Sequence, residues 1–311
     1  MIEKFKIGHY TDRSAGTGCT VIVPPSNNMA SACVRGASPG TRELALLAPD
    51  KKVSRIDALV LTGGSAFGLG CAHGVMEELA KQNTGYETKY GVVPIVPAAV
   101  IFDKNIGYPK AYPTHNNAVQ AFKQAKLNND NMGSIGAGTG ATVGKWMGMD
   151  SAMKAGIGIS SLKRDGVSVS VLTVVNAVGD IIGYDGKIMA GAVNPDGVFF
   201  ARNDSLSRWQ VSQLGMSANT VLSVVMINTK ISKQQAYFLA EHAHYGIARR
   251  IDPSHTSFDG DVAFVIAIPE IELNIDLISS MVVKCVEESI INSVKYSKSL
   301  LGVKSYQEIT K

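Results

Sequence analysis

The sequence predicts a layered fold of strands and helices, α/β or α+β, and three observations carry that expectation. A buried-strand pattern at 56–62 runs through a glycine turn into a helical pattern. Further strand patterns then alternate with two long helical patterns towards the C-terminal end. The composition of the 311 residues, 45% apolar, 18% charged and 7% aromatic, excludes disorder, collagen and a coiled-coil rod. A chain of this length buries a large core without disulfides or a structural metal. Periodicity alone does not choose between α/β and α+β.

In chain order, IDALVLT (56–62) reads as a buried strand, Gly63-Gly64-Ser65 as a turn, and AFGLGCAHGVMEELAKQ (66–82) as a helix with apolar residues at helical spacing. A Gly/Tyr/Lys loop (84–91) leads to VVPIVPAAVIF (92–102), where Pro94 and Pro97 predict an edge strand or an irregular extended segment. The polar stretch 105–131 holds a short helix near 117–126 and is otherwise loop. The densest glycine cluster follows, GSIGAGTGATVGKWMG at 133–148. Strands are expected at 156–161 and 167–178, the second alternating through Val167, Val169 and Val171 as a half-buried strand does. Asn194-Pro195-Asp196-Gly197 reads as a turn and 201–217 as irregular. Residues 221–227 form the next strand, 232–250 a helix opened by a capping box of Ser232 and Gln235, and 261–268 another strand. The last helix, 276–296, carries an apolar stripe at Ile278, Met281, Val282, Cys285, Ile290 and Val294. With no internal repeat and no low-complexity linker, 1–311 is expected to be a single domain.

Charge and cysteine usage narrow the partners. The 30 Lys+Arg against 26 Asp+Glu leave +4, scattered rather than patched, so no nucleic-acid partner is expected. Cys19, Cys33, Cys71 and Cys285 lack any CxxC spacing and fit reduced thiols in a cytoplasmic protein. The start MIEKFKIGHY has no apolar h-region, so no secretory signal is expected. The longest apolar run, 92–102, is too short to span a bilayer, and no membrane partner is expected. Nor is a metal or cofactor: His242 and His244, two apart on a helix, point roughly 200° from each other, and His9, His73, His115 and His255 stand isolated.

Four features could carry chemistry. GAGTGA (136–141) matches the dinucleotide fingerprint in form, but the polar LNNDNMGSI before it is no buried strand, and the Walker pattern fails at Trp146. The sharper reading is a glycine loop whose backbone N–H groups and Lys145 face a polarised oxygen. Ser65 sits on a strand-to-helix turn like a hydrolase nucleophile, but Phe67 stands where G-x-S-x-G needs glycine, and a helix N-cap is the plainer role. Asn219-Thr220, delivered by the small-residue stretch 215–218 to an apolar strand, could serve a nucleophile that becomes a chain terminus. Once freed, the α-amine of Thr220, with an ordinary pKa of about 7.7–8.0, can act as base for its own hydroxyl. Asp259 and Asp261 flank Gly260 at a strand start, where period-two geometry can bring both carboxylates to one point, against the plainer reading of a surface Asp-Gly turn.

With these residues in view, the chain resembles the L-aminopeptidase/D-esterase family, peptidase family S58, of self-cleaving N-terminal-nucleophile hydrolases. The resemblance rests on TGCTVIVP (17–24), RGASPGTRE (35–43), LVLTGGSAFGL (59–69), VPIVPAAVIFD (93–103), GSIGAGTGATVGK (133–145), VVNAVGDIIG (174–183), Asn219-Thr220 and DGDVAF (259–264). It implies a four-layer αββα sandwich of two stacked sheets, assembled as αβ units into a homo-oligomer, commonly a tetramer. It also implies cleavage of Asn219–Thr220 into an α chain 1–219 and a β chain 220–311. In that pattern Thr220 is the nucleophile, Asp259 and Asp261 orient the new terminus, Lys145 lies beside the nucleophile, and Asn176 polarises the substrate carbonyl. The family's aminopeptidase branch tends to carry a serine nucleophile, Ser-Gly-Glu for Asp259-Gly260-Asp261, and a tyrosine where Gly144 stands. Its threonine-type nylon-oligomer hydrolases are therefore the nearer comparison, and short peptides or 6-aminohexanoate-type oligoamides the implied substrates. An acyl transferase of the ornithine acetyltransferase type on the same fold, or an uncleaved binding protein, are the alternatives.

Overall fold

Strands rich in valine, isoleucine and leucine assemble two five-stranded sheets in the computed structural model, which describes residues 4–200 and 219–309. The first sheet contains β1 (Lys6–Asp12), β2 (Thr17–Val23), β4 (Thr41–Arg42), β5 (Leu59–Thr62) and β6 (Ala98–Val100), in the order β1-β2-β5-β6-β4. The second contains β3 (Met29–Val34), β7 (Ile157–Arg164), β8 (Val167–Asn176), β9 (Thr220–Thr229) and β10 (Val262–Ile271), in the order β7-β8-β9-β10-β3. Its strands pair antiparallel except β9 with β10, which run parallel.

The sheets stack face to face. Ile7, Ile22, Leu59, Leu61 and Ile101 of the first side meet Leu172, Val174, Leu222, Val224, Phe264 and Ile266 of the second in one buried cluster. Outside the first sheet lie α1 (Cys71–Lys81) and α2 (His115–Lys123), packed through Val75, Leu79, Ala118 and Ala121 onto Cys19, Val21 and Val60. Outside the second lie α3 (Lys233–Arg250) and α4 (Ile275–Lys295), whose Leu239, Ala243, Ile278, Val282 and Val286 cover Val169, Val171, Val225 and Val265. The result is the four-layer αββα sandwich. Its middle layer is the expensive one to disturb: Leu222→Ala there is expected to cost about 2–5 kcal/mol.

Local signals place most of these elements. Ser232 caps α3 by accepting from the Gln235 backbone, and the Gln235 side chain accepts in return from the Ser232 N–H. At the turn beyond β8, the Asn194 carbonyl accepts from Gly197 N–H at 3.0 Å.

Two expectations need correction, and a third resolves between its alternatives. β8 is buried at every position rather than on one face, because the opposing sheet covers one side and α4 the other. Of the two readings for the segment with Pro94 and Pro97, the irregular extended one holds: residues 94–97 form no strand and lead into β6, which is no edge, lying between β5 and β4. The helix at 66–82 opens as a 3-10 turn, Ser65–Gly70, before becoming α1, since Gly68 packs so close that a Cβ there would stand 2.1 Å from the Gly63 carbonyl oxygen. The expected irregular stretch 201–217 lies outside the described residues.

Candidate active site

The edge of the inter-sheet layer collects the residues singled out by sequence. Thr220 is the first residue of β9, and its cross-strand partner in β8 is Asn176, which puts their Cβ atoms within about 5.5 Å of each other. Just before the strand, Asn219 forms a single parallel bridge with Asp259. The Gly260 N–H donates to the Asn219 carbonyl oxygen at 2.8 Å, and the Thr220 hydroxyl donates to the same oxygen at 2.5 Å. That carbonyl is thus held by two donors, one of them the neighbouring hydroxyl. Gly260 is required here, since a Cβ would stand 2.6 Å from the Ser38 carbonyl oxygen and 2.8 Å from Thr220 Oγ1. The RGAS segment grips the Asp-Gly-Asp turn from the other side, Arg35 N–H donating to the Asp261 carbonyl at 3.1 Å and Ser38 N–H to that of Asp259 at 2.9 Å.

Lys145 reaches the site because Gly144 takes a left-handed turn, φ 69°, against the Gly191 backbone, where a Cβ would clash at 2.1 Å. Its ammonium donates to Asn176 Oδ1 at 2.9 Å and to the Asn176 carbonyl at 3.0 Å. Asn176 Oδ1 also accepts from Thr142 N–H, and its amide donates to the Phe102 carbonyl, so its orientation is fixed. Burial pushes the Lys145 pKa down to about 7 against the opposing pull of Asp259 and Asp103. Asp103 itself accepts from the Thr17 hydroxyl and the Gly64 N–H, both at 2.7 Å, and burial raises it to about 6.

Both carboxylates of the Asp-Gly-Asp turn are buried, 1% exposed each, which removes the surface-turn reading. Asp259 Oδ2 accepts from the Thr256 N–H and hydroxyl, both at 2.7 Å, while Oδ1 has no partner among the described residues. Burial and the neighbouring Asp261 push Asp259 up to about 6, against the Thr256 bonds and Lys145. Asp261 Oδ1 accepts from Val221 N–H at 2.7 Å, the amide that follows Thr220.

Ser38, Pro39, Gly40, Ser65, Ala66, Val100, Phe102 and Phe258 surround Asn219 and Thr220 in a cavity of about 220 Å³. Ser65 therefore shares the site. It is not the N-cap expected of it: Gly64 holds that position and Ser65 itself is left-handed, φ 55°. The glycine loop differs from expectation too. Its N–H groups at 136 and 137 are taken by the Thr11 and Thr20 hydroxyls, and its carbonyls at 138 and 141 face a second buried lysine, Lys154. Lys145 and one backbone N–H of the loop, that of Thr142, do face a polarised oxygen, Asn176 Oδ1. Sequence reading missed the Gly260 N–H, which no side chain advertises. It also missed His255, whose partner becomes adjacent only when the 253–261 loop folds back. Among the described residues, no group of three or more His, Cys, Asp or Glu stands placed to hold a metal ion, and no helix is long and apolar enough to cross a membrane.

Comparison with known proteins adds the family. Residues 2–307 match peptidase family S58. An uncharacterized aminopeptidase of Mycobacterium tuberculosis is 32% identical, the alignment covering 98% of this chain and 95% of that protein. The 6-aminohexanoate-oligomer endohydrolase of Paenarthrobacter ureafaciens is 27% identical over 85% of this chain and 72% of its own. Among solved structures, a Burkholderia sp. beta-aminopeptidase superposes with a TM-score of 0.74 at 15% identity, covering 99% of this chain and 92% of that one. The L-aminopeptidase D-Ala-esterase/amidase of Ochrobactrum anthropi, a variant of the Ntn hydrolase fold, gives 0.73 at 15% identity, covering 98% and 90%. The chain belongs to peptidase family S58 and is a hydrolase of amide bonds.

Proposed function

We propose that the chain processes itself at Asn219–Thr220 and then hydrolyses short peptides or 6-aminohexanoate-type oligoamides with Thr220 as an N-terminal nucleophile. The observation that carries this reading is the doubly held Asn219 carbonyl, polarised by the Gly260 N–H at 2.8 Å with the Thr220 hydroxyl against it. In the first act Thr220 Oγ1 attacks the Asn219 carbonyl carbon, the C–N bond breaks, and the acyl group passes to oxygen as the amine is released. Water then hydrolyses the ester, leaving 1–219 and 220–311. In the second, the freed α-amine takes the Thr220 hydroxyl proton as Oγ1 attacks the substrate amide. Asp259 and Asp261 orient the new terminus, and Asn176 with Lys145 stabilises the oxyanion. The leaving amine takes the proton, and water releases the acid from the acyl-enzyme.

The apolar walls of Phe102, Phe258 and Val100 suit the methylene stretch of an oligoamide or an apolar side chain. In this reading the αβ units assemble into a homo-oligomer, a tetramer by family resemblance. Two bands on a denaturing gel after incubation at neutral pH are expected from the wild-type chain and one from Thr220→Ala. That variant should also lose turnover of a p-nitroanilide or a 6-aminohexanoate oligomer, and turnover retained by Thr220→Ala but lost in Ser65→Ala would transfer the nucleophile's role to Ser65.

A further inference from the structure

His255 is absent from the chemistry described so far, yet its ring is built into the site. Its Nδ1–H donates to Asp261 Oδ2 at 2.7 Å, while Asp261 Oδ1 accepts from Val221 N–H at 2.7 Å. One carboxylate thus bridges the imidazole and the amide that follows Thr220. His255 holds this position in a left-handed conformation, φ 54°, which a side chain adopts at a cost of about 1–3 kcal/mol and which glycine would adopt freely. Its Nε2 is buried and has no partner among the described residues.

We propose that His255 is a positioning residue for both self-cleavage and turnover, locking the Asp261 carboxylate so that the backbone at Thr220–Val221 cannot rotate away from the attacking geometry. The inference rests on Thr220 being the nucleophile. The surroundings favour a charged pair. From α3, His244 packs edge-to-face on His255 with centroids 4.9 Å apart, and burial holds it neutral, its pKa pushed down to about 4. Its Nε2 lies 3.1 Å from the Cys33 carbonyl, a bond that favours the charged form but is outweighed by burial, so His244 adds no cation. From the end of β3, Arg35 is paired with Glu241 of α3 at 2.6 Å. From its own loop, His255 faces Asp261 and, further off, Asp259. Burial pulls the His255 pKa down, but the bond to Asp261 and its charge, the His244 backbone and the charge of Asp259 outweigh it and raise it above its ordinary value.

The test compares His255→Ala and His255→Asn in the full chain, since the asparagine amide can present an N–H where Nδ1–H stood. His255→Ala is expected to slow self-cleavage and lower kcat by about 30- to 100-fold, with KM within about twofold, because misplaced rather than missing groups cost rate more than binding. Without the imidazolium a positive charge beside the new terminus is gone, so the freed Thr220 α-amine holds its proton to higher pH and the acid limb of the kcat profile moves upward. His255→Asn is expected to recover cleavage and kcat to within about fivefold of wild type. Wild-type kcat and an unmoved acid limb in His255→Ala would overturn the inference. So would equal losses in both variants accompanied by equal falls in unfolding temperature, which mark a merely structural ring. Thr220→Ala run in parallel separates the two readings: turnover surviving there removes the nucleophile, whereas its loss beside an unaffected His255→Ala removes only the role given to His255.

Discussion

Two lysines nine residues apart, Lys145 and Lys154, are both buried to within 1% of full enclosure, and burial pushes both down to a pKa of about 7. Their partners differ. Lys154 donates to three backbone carbonyls, those of Gly138, Ala141 and Ala155, and so the glycine loop is wrapped around its side chain. Lys145 donates to the side chain and carbonyl of Asn176, the residue opposite Thr220. A depressed lysine pKa therefore marks burial, and only the identity of the acceptors tells scaffold from chemistry.

The largest expected effect separates the pair outright. Lys145→Met should lower kcat by about 10²–10³, the loss of one oxyanion donor, while thermal unfolding stays close to wild type. Lys154→Met should do the reverse: stranding its carbonyls costs roughly 3 kcal/mol and about 5 °C or more in unfolding temperature, with kcat of the folded fraction nearly unchanged. Matching losses in both measurements for both variants would erase the distinction.

A pH experiment sharpens it further. In the proposed mechanism Thr220 needs its α-amine free, so activity should rise towards pH ~8, and Lys145 would stabilise an oxyanion only while protonated, so activity should fall above its pKa. Introducing a carboxylate beside it with Asn176→Asp favours the ammonium, and the descending limb should move up by about one pH unit; the midpoint in a pH–kcat series checks it. A descending limb that stays in place would detach it from Lys145. The smallest effect comes from the group both lysines share: Asp103 pulls on each of them, and Thr17 donates to it at 2.7 Å. Thr17→Val should cost about 1 kcal/mol in denaturant unfolding and change kcat by no more than about threefold. A larger fall in kcat alone would place Asp103 on the side of the chemistry.

Much of the outer scaffold was legible because helices and strands announce themselves by period. The capping box at Ser232 and the stripe through Ile278, Met281 and Val282 needed nothing beyond their neighbours in sequence. β8 misled because half-burial is read from alternation, and Val167, Val169 and Val171 alternate with Ser168 and Ser170, small enough to be enclosed as well. Ser170, itself enclosed, lies 2.7 Å from the hydroxyl of the exposed Ser161, and in the interior Thr173 is bonded to Ser289. The N-terminal strands β1 and β2 escaped for a related reason, since their short segments carry threonine, glycine and histidine that only cross-strand pairing makes sense of, and β3, MASACV, is built mostly of small residues. Of the candidate site, Thr220, Asp259, Asp261, Lys145 and Asn176 were reached through motif blocks. The Gly260 N–H, His255 and the caging role of Lys154 were not, since each depends on a contact between segments that sequence order leaves far apart or unmarked.

The order of the second sheet gives the proposed cut an unusual character. In β7-β8-β9-β10-β3, the strands that follow residue 219 occupy the two positions β9 and β10, and strands that precede it stand on either side. A break at Asn219–Thr220 would thus leave two polypeptides interleaved like fingers, joined along both the β8–β9 and the β10–β3 ladders and sealed by a common core. The fragments would be separable only by unfolding. Maturation would change what a denaturing gel displays while the native particle kept its mass, its outline and its stability.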